Sequence, residues 1–284
     1  MNIGEILLKS YGILKKVGIE SYLLDSQLLL GKVLNVDKLF IMLNRGFELN
    51  HQEENEFSRL IQLRERKMPI KYILGECEFM GMDLIVKPGV LIPRPDTEIL
   101  VEEVIKHINE KAYTKVCDVC SGSGAIGIAI AGFVKGAVVM LYDISDDAIA
   151  VAKLNIERFD LASRVNVESS DLLQSAIEQN KKFQVVVSNP PYIREEVIPT
   201  LMEDVKNYEP YIALSGGKDG LDFYRRITRE SLLVLEKGGL LALEIGYDQR
   251  EEVRDILLKS GFNNIECIKD LSGNDRVIKG ILMD

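Results

Sequence analysis

The chain has 284 residues, enough for one large domain or two smaller ones, and its 46% hydrophobic and 28% charged content is that of a globular protein. The net charge is −9, with the first 80 residues close to neutral and the acid excess beyond them. That balance argues against holding duplex DNA, which demands several phosphate-neutralising contacts, and suits a cationic cofactor and a basic protein partner.

Apolar runs are only strand-sized, so no transmembrane helix is expected. The N-terminus lacks a basic region followed by an apolar block, so no signal peptide is expected and the expected location is the cytoplasm. Four cysteines (Cys77, Cys117, Cys120, Cys267) do not make a disulfide scaffold in a chain this long. Cys117-x-x-Cys120 has no second pair, and the chain has only two histidines, so no metal site is expected. A redox pair should open a helix. Here Cys117 falls in a strand pattern and Cys120 enters a glycine loop, so the spacing is read as a coincidence inside a binding loop.

Residues 1–75 read as a small helical domain. Ile3, Ile6, Leu7, Ile13 and Leu14 recur with helical spacing, and Leu23, Leu24 and Leu28–Leu30 follow. A short helix is expected over Val36–Leu43 and a longer one over His51–Lys67. No catalytic cluster is present, so the segment is read as a docking domain. Residues 76–94 are punctuated by Gly81, Pro88, Gly89 and Pro93 around short apolar segments, Phe79–Met82 and Leu84–Val86, and predict a β-hairpin linker. A helix follows over Glu98–Asn109, with Asp96 or Thr97 as its N-cap.

Residues 95–284 alternate strand and helix. Strands are predicted at Val116–Val119, Ala137–Tyr142, Val165–Ser169, Phe183–Ser188, Leu240–Ile245, Ile265–Lys269 and Arg276–Met283. Helices are predicted at Ala125–Phe133, Ser145–Phe159, Asp222–Leu235 and Gln249–Ser260. Alternation of this kind implies a doubly wound parallel sheet. Only Asp270–Asp275 separates the last two strands, too short for a parallel crossover, so they form an antiparallel pair.

Between the first of these strands and its helix runs Asp118-Val-Cys-Ser-Gly-Ser-Gly-Ala-Ile-Gly127, in which Gly122, Gly124 and Gly127 satisfy G-x-G-x-x-G. Asp143 ends the next strand, where an acid can bind ribose hydroxyls. Alone, this loop suits NAD as well as S-adenosylmethionine. The absence of Gly-Lys-Ser/Thr after the glycines excludes a P-loop.

The fourth of these strands ends in Asn189-Pro190-Pro191-Tyr192. The Asn189 oxygen can accept one proton of a planar NH2 group. Pro190 has no N–H and a fixed φ, so its carbonyl can be aimed at the other. Tyr192 offers a flat face for stacking. An NPPY can also be a plain turn after a strand. Three features favour S-adenosylmethionine: Asp118 can accept from its ammonium group, the antiparallel end of the sheet matches class I methyltransferases, and NPPY stands at the carboxyl edge where such sheets bind ligands.

Together with Pro69-Ile-Lys-Tyr-Ile-Leu-Gly75 and Phe79, Gly89-Val-Leu-Ile-Pro-Arg-Pro-Asp-Thr-Glu98, and Glu209-Pro-Tyr-Ile-Ala-Leu-Ser-Gly-Gly-Lys-Asp-Gly220, these motifs resemble the peptide chain release factor glutamine methyltransferases (PrmC/HemK family) over essentially the whole chain. The resemblance implies methylation of the side-chain amide of the glutamine in the Gly-Gly-Gln motif of class 1 release factors. It implies that Asp118, Cys120, Ser121, Gly122, Ser123, Gly124 and Asp143 bind S-adenosylmethionine, with Asp171 and Leu172 beside its adenine and Asn189 touching it. It further implies that Asn189, Pro190, Pro191 and Tyr192 bind the glutamine, with Asn189, Pro190 and Tyr192 catalytic and Arg94 at the substrate entrance. Cys120 stands where the family often has glycine, and Leu172 where some members have an aromatic. The implied fold is a class I methyltransferase domain, an α/β seven-stranded doubly wound sheet with an antiparallel last strand, joined by the hairpin to the helical bundle. A monomer without direct DNA or membrane binding is expected. A ribosomal-protein glutamine methyltransferase and a DNA adenine methyltransferase are the alternatives, the second lacking the basic domain it needs to hold a duplex.

Overall fold

The computed structural model describes residues 1–283; Asp284, the last residue of the expected methyltransferase domain, lies outside them. The chain forms two compact units. One comprises Met1–Glu76 and the distant segment Met202–Tyr208; the other comprises Cys77–Leu201 and the residues from Glu209 onward.

In the first unit, α1 (Ile3–Lys16) and α4 (His51–Glu65) each start on a capping box. In α1, Glu5 N donates to Asn2 Oδ1 (2.9 Å) while Asn2 N donates to Glu5 Oε2 (3.1 Å), so two otherwise orphaned N–H groups are satisfied reciprocally. Between them lie α2 (Tyr22–Leu34) and α3 (Lys38–Leu43). The short helix begins at Lys38 rather than Val36. Asn35 takes a left-handed conformation that ends α2, and Asp37 caps α3 by accepting from Phe40 N at 2.7 Å. Helix α4 stops at Glu65, and Lys67 has φ +69°. The unit's core is Ile3, Leu7, Leu14, Leu29, Leu30, Ile41 and Phe57, all essentially inaccessible. Inside it, Arg64 Nε donates to Asp25 Oδ2 at 2.7 Å, pinning α4 to α2. A single-turn helix, Glu203–Lys206, also belongs here, and Tyr208 donates its hydroxyl to Arg66 O at 2.5 Å.

The second unit opens at Cys77, one residue into a hairpin of β1 (Glu76–Phe79) and β2 (Met82–Ile85). The two-residue turn is Met80-Gly81, with φ of +53° and +71°, so it falls inside the predicted apolar segment Phe79–Met82. Both residues must be left-handed in such a turn, and Met80 gives no hint of it. The α/β part runs through α5 (Glu98–Lys111), β3 (Lys115–Val119), α6 (Ala125–Phe133), β4 (Val138–Asp143), α7 (Asp146–Arg158), β5 (Val165–Ser169) and β6 (Phe183–Ser188). It continues with α8 (Asp222–Val234), β7 (Leu235–Glu244), α9 (Arg250–Lys259), β8 (Phe262–Lys269) and β9 (Asp275–Leu282). Neither Asp96 nor Thr97 caps α5 through its side chain, because Pro95–Thr97 is a 3₁₀ turn and both side chains point to other partners. Strand β7 starts five residues before the prediction, in the Glu236-Lys-Gly-Gly239 stretch, which has no hydrophobic alternation.

The seven strands lie in the order β5-β4-β3-β6-β7-β9-β8, parallel except for β9, which is antiparallel to both neighbours. This is the class I methyltransferase arrangement. Alternating residues send Val116, Val185 and Val187 to the face covered by α5 and α6, and Cys117, Val119 and Val186 to the face covered by α8 and α9. The chain moves outward from β3 to β5 and then returns to β6 on the other side of β3, which makes the β3/β6 boundary a switch point. Val119 is level with both Tyr142 and Ser188, so the loops after β3, β4 and β6 open at one edge. Among the described residues, no helix is long and apolar enough to cross a membrane.

Candidate active site

A cavity of about 330 Å³ occupies this edge, a size in the range of small-molecule sites. On one side it is lined by Cys120–Ser123 after β3, Asp143–Ser145 after β4, Ser170–Leu172 after β5, and Phe223 and Arg226 of α8. On the other it is lined by Arg94, Thr97, Asn189, Pro191, Pro210 and Ile212. The structure therefore brings Arg94, Cys120, Ser121, Gly122, Ser123, Asp143, Asp171, Leu172, Asn189 and Pro191 to one cavity. Asp118, Gly124, Pro190 and Tyr192 do not line it.

The loop after β3 is wound left-handed at Cys120 (φ +58°), Gly122 (+55°) and Gly124 (+82°). A Cβ on Gly124 would also stand 2.9 Å from the terminal methyl of Ile128, so glycine is called for here by φ, with a side chain further requiring that methyl to shift. The helix α6 that follows is buried from Ala125 to Ala131, and Gly127 lets it approach β4: a Cβ there would stand 2.2 Å from Leu141 Cδ2.

Asp118 has the same strand parity as Val116 and points under α6, away from the cavity. Its Oδ2 accepts from Gly127 N at 3.0 Å, its Oδ1 has no partner among the described residues, and it is completely buried. The structure places Asp118, expected to meet a ligand's ammonium group, in this enclosed position. Burial pushes its carboxyl up to about 8, the Gly127 N–H acting against that and Asp143 adding to it.

Asp143 is the acid that faces the cavity. Its Oδ2 accepts from Gly122 N (2.8 Å) and its Oδ1 from Ser145 N (3.0 Å). Burial raises its carboxyl above the usual range, and the N–H groups of Ser145, Gly122 and Ile144 pull it back. Ser121 Oγ, on the cavity wall and buried, has no partner among the described residues. Arg226 donates to Asp171 Oδ2 (2.9 Å) and to Glu230 Oε1 (3.4 Å), while Leu173 N donates to Glu230 Oε2 (3.1 Å), which braces the turn holding Leu172. Leu172 has φ +55°. Both positions that depart from the family pattern, Cys120 and Leu172, therefore carry side chains in the conformation that favours glycine.

On the opposite wall, Asn189 Nδ2 donates to Thr97 Oγ1 (3.2 Å), and Thr97 Oγ1 donates to Glu244 Oε2 (2.6 Å). Tyr192 donates its hydroxyl to Glu244 Oε1 (3.2 Å). Its ring packs against the apolar cluster under α8, and burial raises its hydroxyl well above the usual tyrosine range. The end of the motif is clamped by Gln249. Its Nε2 donates to Tyr192 O (3.0 Å) and Gly220 O (3.2 Å), and its Oε1 accepts from Gly246 N (2.9 Å) and the Tyr224 hydroxyl (3.2 Å). Arg94 donates to Glu209 Oε1 at 2.6 Å and also lines the cavity, so the ion pair and the wall position coexist. Sequence reading missed Glu244, Gln249 and Arg226, and took Thr97 only for a cap. A carboxylate ending an apolar strand at the carboxyl edge was the signal available for Glu244. Among the described residues, no group of His, Cys, Asp and Glu could hold a metal ion.

Comparison with known proteins gives the following likenesses. Residues 5–75 match the family model described as the PrmC N-terminal domain, and residues 95–205 match the methyltransferase small domain. The chain is 53% identical over 279 residues to the release factor glutamine methyltransferase of Clostridium botulinum, covering 98% of this chain and 99% of that one. It is likewise 53% identical to that of Clostridium acetobutylicum, covering 99% of each. Among solved structures it is similar to the N-terminal domain of human METTL16 in complex with SAH. There the TM-score is 0.54 at 18% identity, covering 90% of this chain and 94% of that chain, a likeness of fold alone.

Proposed function

The chain belongs to the release factor glutamine methyltransferases, and on that premise we propose that it methylates the side-chain amide nitrogen of the Gly-Gly-Gln glutamine in class 1 release factors. The observation that carries the proposal is that Asn189 of NPPY and the glycine loop after β3 line one cavity. The fit of S-adenosylmethionine rests on Ser121 Oγ, a buried polar atom with no partner on the cavity wall, and on Asp143, whose carboxylate faces the cavity from the end of β4. Residues Cys120–Ser123, Asp143, Asp171 and Leu172 would hold it. When bound, it supplies an electrophilic methyl group.

An amide nitrogen is a poor nucleophile because its lone pair is delocalised, and NPPY contains no base strong enough to ionise it. Catalysis is therefore assigned to positioning and electrostatics. Asn189 Oδ1, on the cavity wall, accepts one N–H bond of the substrate amide, and the Pro190 carbonyl, which does not line the cavity, is assigned the other from the motif alone; together they fix where the nitrogen points. The same acceptors stabilise the positive charge that grows on that nitrogen, and the proton leaves to water afterwards. Pro191 and Arg94 shape the entrance, and the partly buried Tyr192 ring backs the motif.

The test is transfer of a labelled methyl group from S-adenosylmethionine to a purified class 1 release factor. Its Gly-Gly-Ala variant, a ribosomal protein fraction and duplex DNA run alongside. Label on the wild-type factor alone is expected; label on the ribosomal fraction or DNA instead would overturn the substrate. Asn189→Ala should lower turnover by about 10²–10³-fold while S-adenosylhomocysteine affinity stays within about twofold, and full turnover in that variant would remove Asn189 from the mechanism.

A further inference from the structure

The geometry points to Glu244 as the positioning residue that decides which end of the Asn189 amide faces the cavity, acting through the Thr97 hydroxyl. The inference rests on the proposed role of Asn189 as an acceptor for the substrate amide.

Glu244 is only 2% exposed, and an ionised carboxylate can only accept. Thr97 stands 2.6 Å from Glu244 Oε2, so its single hydroxyl proton is committed there. What Thr97 has left toward Asn189 is a lone pair, which takes Nδ2 at 3.2 Å and turns Oδ1 the other way, as an acceptor. The second carboxylate oxygen takes the Tyr192 hydroxyl, so one buried charge orders two members of NPPY.

Protonation of Glu244 reverses the relay. A carboxylic acid donates to Thr97, the Thr97 proton turns to Asn189, and the favoured amide presents NH2 to the substrate's own NH2. Two donors then face each other, and binding and methylation are lost together with the acceptor. Activity should therefore have an acid limb set by Glu244. Burial raises this carboxyl, the Thr97 hydroxyl, the Arg276 guanidinium and the Tyr192 hydroxyl oppose the rise, and Asp96 adds to it. Arg276 is itself paired with Asp270 (3.0 Å) and Asp96 (3.3 Å), and the backbone carbonyl of Glu244 stands 3.1 Å from the Tyr224 hydroxyl, sharing its single proton with Gln249 Oε1.

The test uses full-length protein labelled with ¹⁵N-asparagine, comparing wild type, Thr97→Val and Thr97→Ser. The Asn189 side-chain resonances, assigned by their loss in Asn189→Ala, should titrate in the wild type in step with the acid limb of kcat. Thr97→Val keeps volume but breaks the relay. It should abolish that titration and lower kcat by about 10–100-fold, the worth of one or two buried hydrogen bonds, with S-adenosylhomocysteine affinity unchanged within about twofold. Thr97→Ser should recover the titration and bring kcat to within about threefold of wild type. The inference falls if Thr97→Val keeps the wild-type kcat and pH profile, if serine restores neither, or if cofactor affinity is lost in parallel with kcat. If the wild-type enzyme leaves release factors unlabelled, the substrate reading fails, and the resonance titration alone still decides the relay.

Discussion

The enclosed carboxyl of Asp118 should make this protein lose stability as the pH rises through neutrality. The substitution that isolates the effect is Asp118→Asn, which keeps an oxygen for the Gly127 N–H (3.0 Å in the parent) and cannot ionise. Burial lifts the carboxyl from 3.8 to about 8 in the folded chain. Because the folded value is the higher one, the contribution is fully present below about pH 4 and is lost as pH rises through about 8. At 1.36 kcal/mol for each tenfold change in proton affinity, the upper bound is about 6 kcal/mol. Relaxation around the charge makes a loss of about 2–4 kcal/mol between pH 5 and pH 8.5 the expected result. Urea denaturation at pH 5, 7 and 8.5 measures it, and the difference between the two proteins removes every other titrating group. The asparagine variant should lie within about 1–3 kcal/mol of wild type in acid, where an unpartnered Nδ2 replaces an unpartnered carboxyl oxygen, and overtake it in base. Parallel stability profiles for the two proteins would refute the assignment.

Gly127→Ala gains about 1 kcal/mol of helix propensity but places a methyl 2.2 Å from Leu141 Cδ2 and 2.9 Å from Val139 Cγ1. The overpacking should win by about 1–2 kcal/mol, read as a lower urea midpoint; a higher midpoint would mean that Leu141 yields freely. Asp143→Ala should weaken S-adenosylhomocysteine binding by about 10–100-fold in calorimetry, as expected for lost bonds to a charged group, and unchanged affinity would remove its role. Arg64→Ala strands Asp25, whose side chain is 3% exposed, and should cost about 3–5 kcal/mol of stability, most of it recovered when Asp25 is replaced as well.

What the sequence made legible was the part of the fold governed by local periodicity. The switch from alternating strands to helical repeats marks nearly every element of the sheet domain, and the short Asp270–Asp275 connection announces the antiparallel pair. Phe183–Ser188 and Ala125–Phe133 match to the residue. The hairpin turn was hidden because Met80 is apolar and left-handed at once. Asp118 could have been placed from strand parity, since it shares a face with Val116. An acid before a glycine loop does not by itself say which face it takes. Thr97 and Glu244 were illegible together because they are 147 residues apart, and the bond between them leaves no trace in local spacing. Local patterns reveal elements and loops, whereas the bonds that orient an amide depend on where distant strand ends meet.

The segment Met202–Tyr208 has a consequence for how this molecule can be cut and recombined. It follows NPPY in the chain yet belongs to the unit built from Met1–Glu76. A fragment ending at Glu76 would lack it, and a fragment starting at Cys77 would carry it with no home for the Tyr208 hydroxyl, which in the whole chain bonds Arg66 O. The two units are not separable cassettes. A chimera that takes its helical unit from a relative must import two stretches of sequence together, and the second lies only ten residues downstream of Tyr192. Inheritance of the helical unit and of the loop that follows Asn189–Tyr192 is thereby linked.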